Sequence, residues 1–178
     1  IDHFDVIQGN VGDCWLLSAF QTVAFSCPEF IDRTIVYSDE IFGFSVFKLL
    51  GKMIFVDHFV PVVVSAEGSE VIGPQISKQH EYWPILLEKA FIKLFYSCSC
   101  PRDIFEFNMK RRALRQIPPG PSYVDIDGGF PRWAISILLG ARIDPLKTRF
   151  IPDLFDLFEC CKNEKLIACC CTSCEKSD

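Results

Sequence analysis

The sequence predicts an α+β fold, and three stretches carry that expectation. A helix with almost no polar position starts at Cys14. Two strands, 41–49 and 53–64, flank Gly51. A second strongly apolar helix runs over 81–96.

Taken in order, residues 1–13 are a loop candidate ending in Gln8-Gly9-Asn10-Val11-Gly12-Asp13. In the helix that follows, Trp15, Ala19, Thr22 and Val23 share a face, while Leu16, Leu17, Phe20 and Ala24 fill the others, so it is expected to be buried nearly all round. Pro28 marks its end. Phe42, Phe44, Val46 and Phe47, then Met53-Ile54-Phe55-Val56, give the strand pair, and Gly51 between them makes a hairpin plausible. Pro61 demotes the end of the second strand to an edge or an exit.

Residues 65–80 are polar and contain Gly, so a loop is expected. Glu81-Tyr82-Trp83-Pro84 leads into Ile85-Leu86-Leu87-Glu88-Lys89-Ala90-Phe91, with Pro84 suited to a first helical turn. A basic stretch follows (Arg102, Lys110, Arg111, Arg112, Arg115) and is taken as a solvated face, the alternative being contact with an acidic partner. Pro118-Pro119-Gly120-Pro121 is a linker or loop, and Gly128-Gly129 a second flexible point. Short helices are expected at 131–140 and 152–162, and a strand at 166–171. No internal repeat is evident.

At 178 residues the chain suits one domain, or one and part of another. With 49% hydrophobic and 23% charged residues it has ample apolar surface to bury, which excludes a disordered chain. A net charge of −5 argues against nucleic acid as a partner, and no stretch is long and apolar enough for a membrane span. The chain opens on Ile1 with no basic-plus-apolar leader, so an excerpt or processed product is expected. Reduced thiols in a cytoplasmic setting are the default.

Gln8 to Trp15 is the most specific segment. A Cys in the first turn of a buried helix meets the helix's positive end, where backbone N–H groups and the dipole favour the nucleophilic thiolate. A Gln six residues upstream can return its side-chain amide beside that thiol. Together with the Cys14 backbone N–H it would form a two-donor oxyanion hole. Gly9 and Gly12 permit the turns this requires. An inert buried thiol is the alternative for Cys14, and a plain loop residue for Gln8.

Gly12 and Trp15 hold the places of the Gly and aromatic that flank the papain nucleophile. The form Gly12-Asp13-Cys14-Trp15-Leu16-Leu17 more closely resembles the calpain family. Val56-Asp57-His58-Phe59-Val60-Pro61 is similar to that family's Val-Asp-Asp-x-x-Pro, with His58 in place of the second Asp. The run from Glu81 to Lys93 is similar to its Glu-Phe-Trp-x-x-Leu-Leu-Glu-Lys-Ala-Tyr-Ala-Lys helix. Asp125-Ile126-Asp127-Gly128-Gly129 is similar to Asp-Phe-Thr-Gly-Gly, the junction between the halves of the calpain core. The segment 97–122 departs most.

The resemblance implies an incomplete papain-like fold, with a nucleophile half over 1–128 and part of a second half over 129–178. It implies a calcium-dependent cysteine endopeptidase acting on protein or peptide substrates, with Cys14 as nucleophile and Gln8 as oxyanion donor. Asp5 and Glu81 match positions whose carboxylates ligate Ca²⁺ beside backbone carbonyls, and no organic cofactor is expected. Two carboxylates plus carbonyls and water are enough for an ion taking about 6–8 oxygens. Solvated surface acids are the alternative for both.

A cysteine protease also needs a base and a group to orient it. The histidines are His3, His58 and His80, none later, and the window for a papain-type His and Asn holds only Asn163. The chain is therefore expected to lack the rest of the core and to be inactive alone. A non-catalytic calpain-like module for binding or regulation is the competing reading. Trp15 and Trp83 are expected in the core, and His58, His80 and Asn163 as satisfied or surface residues. Cys160, Cys161, Cys169, Cys170, Cys171 and Cys174 crowd the last residues; zinc binding, acylation and incidental thiols remain open for them.

Overall fold

The computed structural model describes residues 1–66, 68–75, 81–97 and 100–143. The helix expected at 152–162, the strand at 166–171, Asn163, His80 and the late cysteines lie outside the described residues. The described architecture is α+β: helices around one core, a three-stranded antiparallel sheet and a separate two-stranded one.

A 3₁₀ turn, His3–Asp5, precedes α1 (Cys14–Ser26). Trp15, Leu16, Leu17, Ala19, Phe20, Val23 and Ala24 of α1 are buried, which is the burial on several faces that its composition predicts. α1 stops at Ser26. Pro28 then opens a further short helix, α2 (Pro28–Thr34), because its fixed φ and missing N–H suit a first helical turn.

Strand β1 (Ile35–Asp39) follows α2 directly and pairs with β2 (Phe44–Leu49), which pairs in turn with β3 (Lys52–Asp57). Leu49 faces Lys52 across a two-residue turn in which Leu50 and Gly51 both have positive φ, 49° and 73°. That is the hairpin turn whose twist matches the strands. Ile54 and Val56 of β3 point inward while Met53 and Phe55 remain exposed, the period-2 alternation of a half-covered sheet.

The strand expected over 53–64 is divided. Pro61 separates β3 from β4 (Val62–Ser65), which pairs with β5 (Gly68–Val71) inside the stretch expected to be a loop. All of β4 is exposed, so no apolar alternation announces it.

Helix α3 (Trp83–Tyr96) carries Pro84 in its first turn and spans the core. Phe20 of α1 packs on Trp83 and Phe91 at ring distances of 6.3 and 5.3 Å, and Trp15 stacks on Phe95 at 5.9 Å. The outer lysines of α3 tie the sheet to it. Lys89 donates to the carbonyls of Asp57 and Phe59, each at 2.7 Å, and Lys93 to that of Phe55.

Helix α4 (Arg102–Arg115) occupies the stretch taken as a solvated basic face, and that expectation is corrected for part of it. Arg112 is buried and holds Asp125 by two hydrogen bonds of 2.8 and 2.9 Å, with two more to the carbonyls of Pro118 and Gly120. Arg111 donates to the carbonyls of Val124 and Gly128, and Arg115 pairs with Asp127. The basic run therefore clamps the segment 120–128, whose acids and carbonyls compensate its charge. Helix α5 (Pro131–Leu139) ends the described chain and packs its Ala134, Ile135, Ile137 and Leu138 into the same core as α1. No helix of the described residues is long and apolar enough to cross a membrane.

Candidate active site

Cys14 is the first residue of α1, and its side chain is exposed. The carbonyl of Asp13 accepts from Leu16 N at 2.8 Å and Leu17 N at 3.1 Å, starting the helix tightly. No side chain caps the first turn, so its earliest N–H groups remain available to an incoming oxygen.

The loop leading to Cys14 is held from two sides. Ile7 bridges Gln75, with Gln75 N donating to the Ile7 carbonyl at 2.9 Å, and Asn10 N donates to the Ile72 carbonyl at 3.1 Å. Gly9 lies so close to the other strand of this contact that a Cβ would sit 1.8 Å from the Gly73 oxygen. On the second side, Gly128 N donates to the Gly12 carbonyl at 2.7 Å. A Cβ on Gly12 would lie 2.2 Å from Asp127 Oδ1. Close backbone approach thus requires glycine at Gly9, whereas a side chain at Gly12 would have to displace the Asp127 carboxylate. Gln8 lies within this pinned loop and is exposed, as Cys14 is.

Trp15 belongs to the core and also fixes the junction segment. Its Nε1 donates to the Ile126 carbonyl at 2.8 Å, and its ring lies against Gly129, where a Cβ would come within 2.6 Å of Cε2. The segment 126–129 is therefore fitted to the turn bearing Cys14 by a hydrogen bond on each side of it, from Gly128 to Gly12 and from Trp15 to Ile126.

Asp5 is buried. Its Oδ2 accepts from Trp83 Nε1 at 3.0 Å and from Asp2 N at 2.9 Å, while Oδ1 is buried without a partner among the described residues. Glu81, exposed, precedes Trp83 by two residues, so the Trp83–Asp5 bond brings the two chain segments together. An orphaned carboxylate oxygen fits a cation. Among the described residues no group of three or more His, Cys, Asp or Glu side chains could hold a metal ion, so backbone carbonyls and water would have to complete a calcium shell.

Directly behind Cys14, Asp13 and Glu88 are both buried, and none of their four carboxyl oxygens has a hydrogen-bond partner outside the group they form with Tyr123 among the described residues. Burial, then the hydrogen bond to Asp13 and its charge, push Glu88 up to about 10. Burial also raises Asp13, while its bond from Glu88 opposes that rise. Glu88 therefore keeps its proton, with the Asp13 carboxylate as the neighbour placed to accept from it. Tyr123 stands beside Glu88, and its phenol is raised by burial and by the two acids. Gly73 closes the cluster, since a Cβ there would lie 2.5 Å from Glu88 Oε2 and 3.0 Å from the Tyr123 hydroxyl.

Hydrophobic periodicity and motif spacing do not announce this cluster. Its one signal is that Glu88 shares the apolar face of α3, four residues after Pro84 and three before Phe91, where a solvated acid has no place.

The two described histidines, His3 and His58, have other partners. His3 packs on Phe4 and Phe25 and pairs with Asp2. His58 Nε2 lies 2.7 Å from Ser45 Oγ, in a cavity of about 630 Å³ between the sheet and the start of α3.

A family model of the calpain family cysteine proteases matches residues 1–101. Calpain clp-1 of Caenorhabditis elegans is 33% identical over 99 residues, which is 53% of this chain and 13% of that protein. The calpain-2 catalytic subunit of Gallus gallus is 26% identical over 132 residues, 72% of this chain and 17% of that protein. Calpain-B of Drosophila melanogaster is 31% identical over 97 residues, 52% of this chain and 10% of that protein. The chain thus spans less than a fifth of the length of each of these relatives, and it belongs to the calpain family of cysteine proteases.

Proposed function

We propose that the chain is the nucleophile-bearing part of a calcium-dependent, papain-like cysteine endopeptidase core that hydrolyses peptide bonds in protein substrates. The observation that carries this reading is Cys14, exposed at the uncapped start of α1 and on a loop pinned on both sides.

In the reaction, the Cys14 thiolate attacks the substrate carbonyl carbon. The carbonyl π-electrons move to oxygen, and the tetrahedral oxyanion is met by the Cys14 backbone N–H and the Gln8 side-chain amide. Collapse expels the amine, which takes a proton from the base, and leaves an acyl-enzyme that water then hydrolyses. Neither His3 nor His58, with the partners described above, supplies that base. It is assigned to a further part of the core, together with the group that orients it. The division into 1–128 and 129–178 belongs to the same reading, with α5 joining the second segment to the core of the first. A cytoplasmic setting, with reduced thiols and protein partners, completes it.

The test is cleavage of a peptide substrate by a longer core that contains this chain. Cys14→Ala is expected to abolish turnover, and Gln8→Ala to lower kcat by about 10²–10³ as expected for loss of one oxyanion donor. Wild-type turnover in Cys14→Ala would overturn the assignment.

Calcium bound at Asp5 and Glu81 would favour the folded state and raise the melting temperature. Millimolar calcium is expected to raise Tm of the 178-residue chain relative to chelator, and Asp5→Asn to remove that rise. Equal Tm with calcium and with chelator would count against the site.

A non-catalytic module is the second reading, favoured by the engagement of His3 and His58 elsewhere. Turnover that depends on Cys14 in the longer core rejects it.

A further inference from the structure

Asp13 occupies the N-cap of α1, a position where an Asp carboxylate ordinarily accepts from the second or third N–H of the helix. Here it makes no such bond, and its backbone, at φ −103° and ψ 16°, lies outside the extended region usual for a cap. Its carboxylate is turned into the interior instead, beside Glu88 of α3. The acid pair forms no ion pair with a Lys or Arg among the described residues. Arg112 holds Asp125, Arg115 holds Asp127 and Lys89 holds Asp57. The groups facing the pair are the Tyr123 hydroxyl, the Gly73 backbone and, at longer range, the Asp127 carboxylate. Two buried acids with no cation can satisfy one another only by sharing a proton.

We propose that Glu88 is a positioning residue for the nucleophile: by donating to Asp13 it holds that carboxylate away from the first turn of α1, keeping the N–H groups beside Cys14 open. This rests on Cys14 being the nucleophile. Released from Glu88, the Asp13 carboxylate would cap the first turn. It would place a negative charge against the thiolate and beside the N–H that meets a substrate oxyanion. Glu88→Gln preserves a neutral donor of the same shape, whereas Glu88→Leu preserves bulk and removes the donor.

The experiment measures iodoacetamide alkylation of Cys14, read by peptide mass, as a function of pH in the 178-residue chain. Folding of each variant is checked by its thermal transition. Glu88→Gln is expected to keep the wild-type rate and pH profile. Glu88→Leu is expected to slow alkylation near neutral pH by about two- to fivefold, the size of a charge effect at a helix terminus. In an Asp13→Ala background Glu88→Leu should change nothing further, because the carboxylate it releases is gone.

A folded Glu88→Leu variant that alkylates at the wild-type rate would overturn the proposal. So would Glu88→Gln slowing alkylation as much as Glu88→Leu does. If Glu88→Leu does not fold, the ¹³C shift of the Glu88 side-chain carboxyl decides: a protonated carboxyl at neutral pH supports the proposal and an ionised one overturns it. Wild-type Cys14 reacting no faster than an ordinary exposed thiol would sink the nucleophile assignment itself, a result read on the unaltered chain and so distinct from failure of Glu88 alone.

Discussion

Glu88 shows what burial does to an acid on an apolar helix face. In the folded chain it holds its proton up to about 10, against an ordinary value of 4.5. Between those limits the folded state binds a proton that the unfolded chain has released, so this group makes stability fall as pH rises. Glu88→Gln has no proton to lose. Relative to wild type, its stability is expected to improve steadily from about pH 5 to about pH 9 in denaturant melts. A difference between the two proteins that stays constant with pH would show that Glu88 is ionised when folded. Cys14 and Gln8 stand out in the sequence because they flank the Gly-containing stretch that leads into an apolar helix. The Asp13–Glu88–Tyr123 cluster could not, because its partners lie on three separate elements and only packing brings them together.

Among the elements, α4 is where the sequence was least explicit. Its inward stripe is Ile104, Asn108 and Arg112, one apolar residue and two polar ones, so hydrophobic periodicity had little to register. Helices α1, α3 and α5 were legible because their buried faces are apolar and Pro84 and Pro131 mark two of their starts. The β2–β3 hairpin was legible from Gly51, whereas β4 and β5 were not, since neither strand has a buried residue. β1 escaped notice because it follows α2 with no turn residue between. The structural importance of α4 rests on Arg112, whose side chain is 7% exposed against an Asp125 that is fully buried. Arg112→Ala would leave Asp125 a buried, uncompensated charge. It is expected to lower unfolding free energy by roughly 3–5 kcal/mol. A loss below about 1 kcal/mol in chemical denaturation would show that the ion pair is effectively solvent-screened.

At the scale of the whole molecule, the loop bearing Gln8 and the first turn bearing Cys14 depend on distant parts of the chain. Backbone bonds from Ile72 and Gln75 hold one side, and Gly128 with Ile126 holds the other. Trp15 then anchors the turn in a core shared by α1, α3 and α5. Any activation of the thiol is therefore a property of the folded chain and must vanish with it. The most direct test compares iodoacetamide alkylation of Cys14 near neutral pH in the folded chain and in the same chain unfolded in urea. Faster labelling of Cys14 when folded is the expected result. Labelling that is equal or faster in the unfolded chain would contradict its assignment as an activated nucleophile.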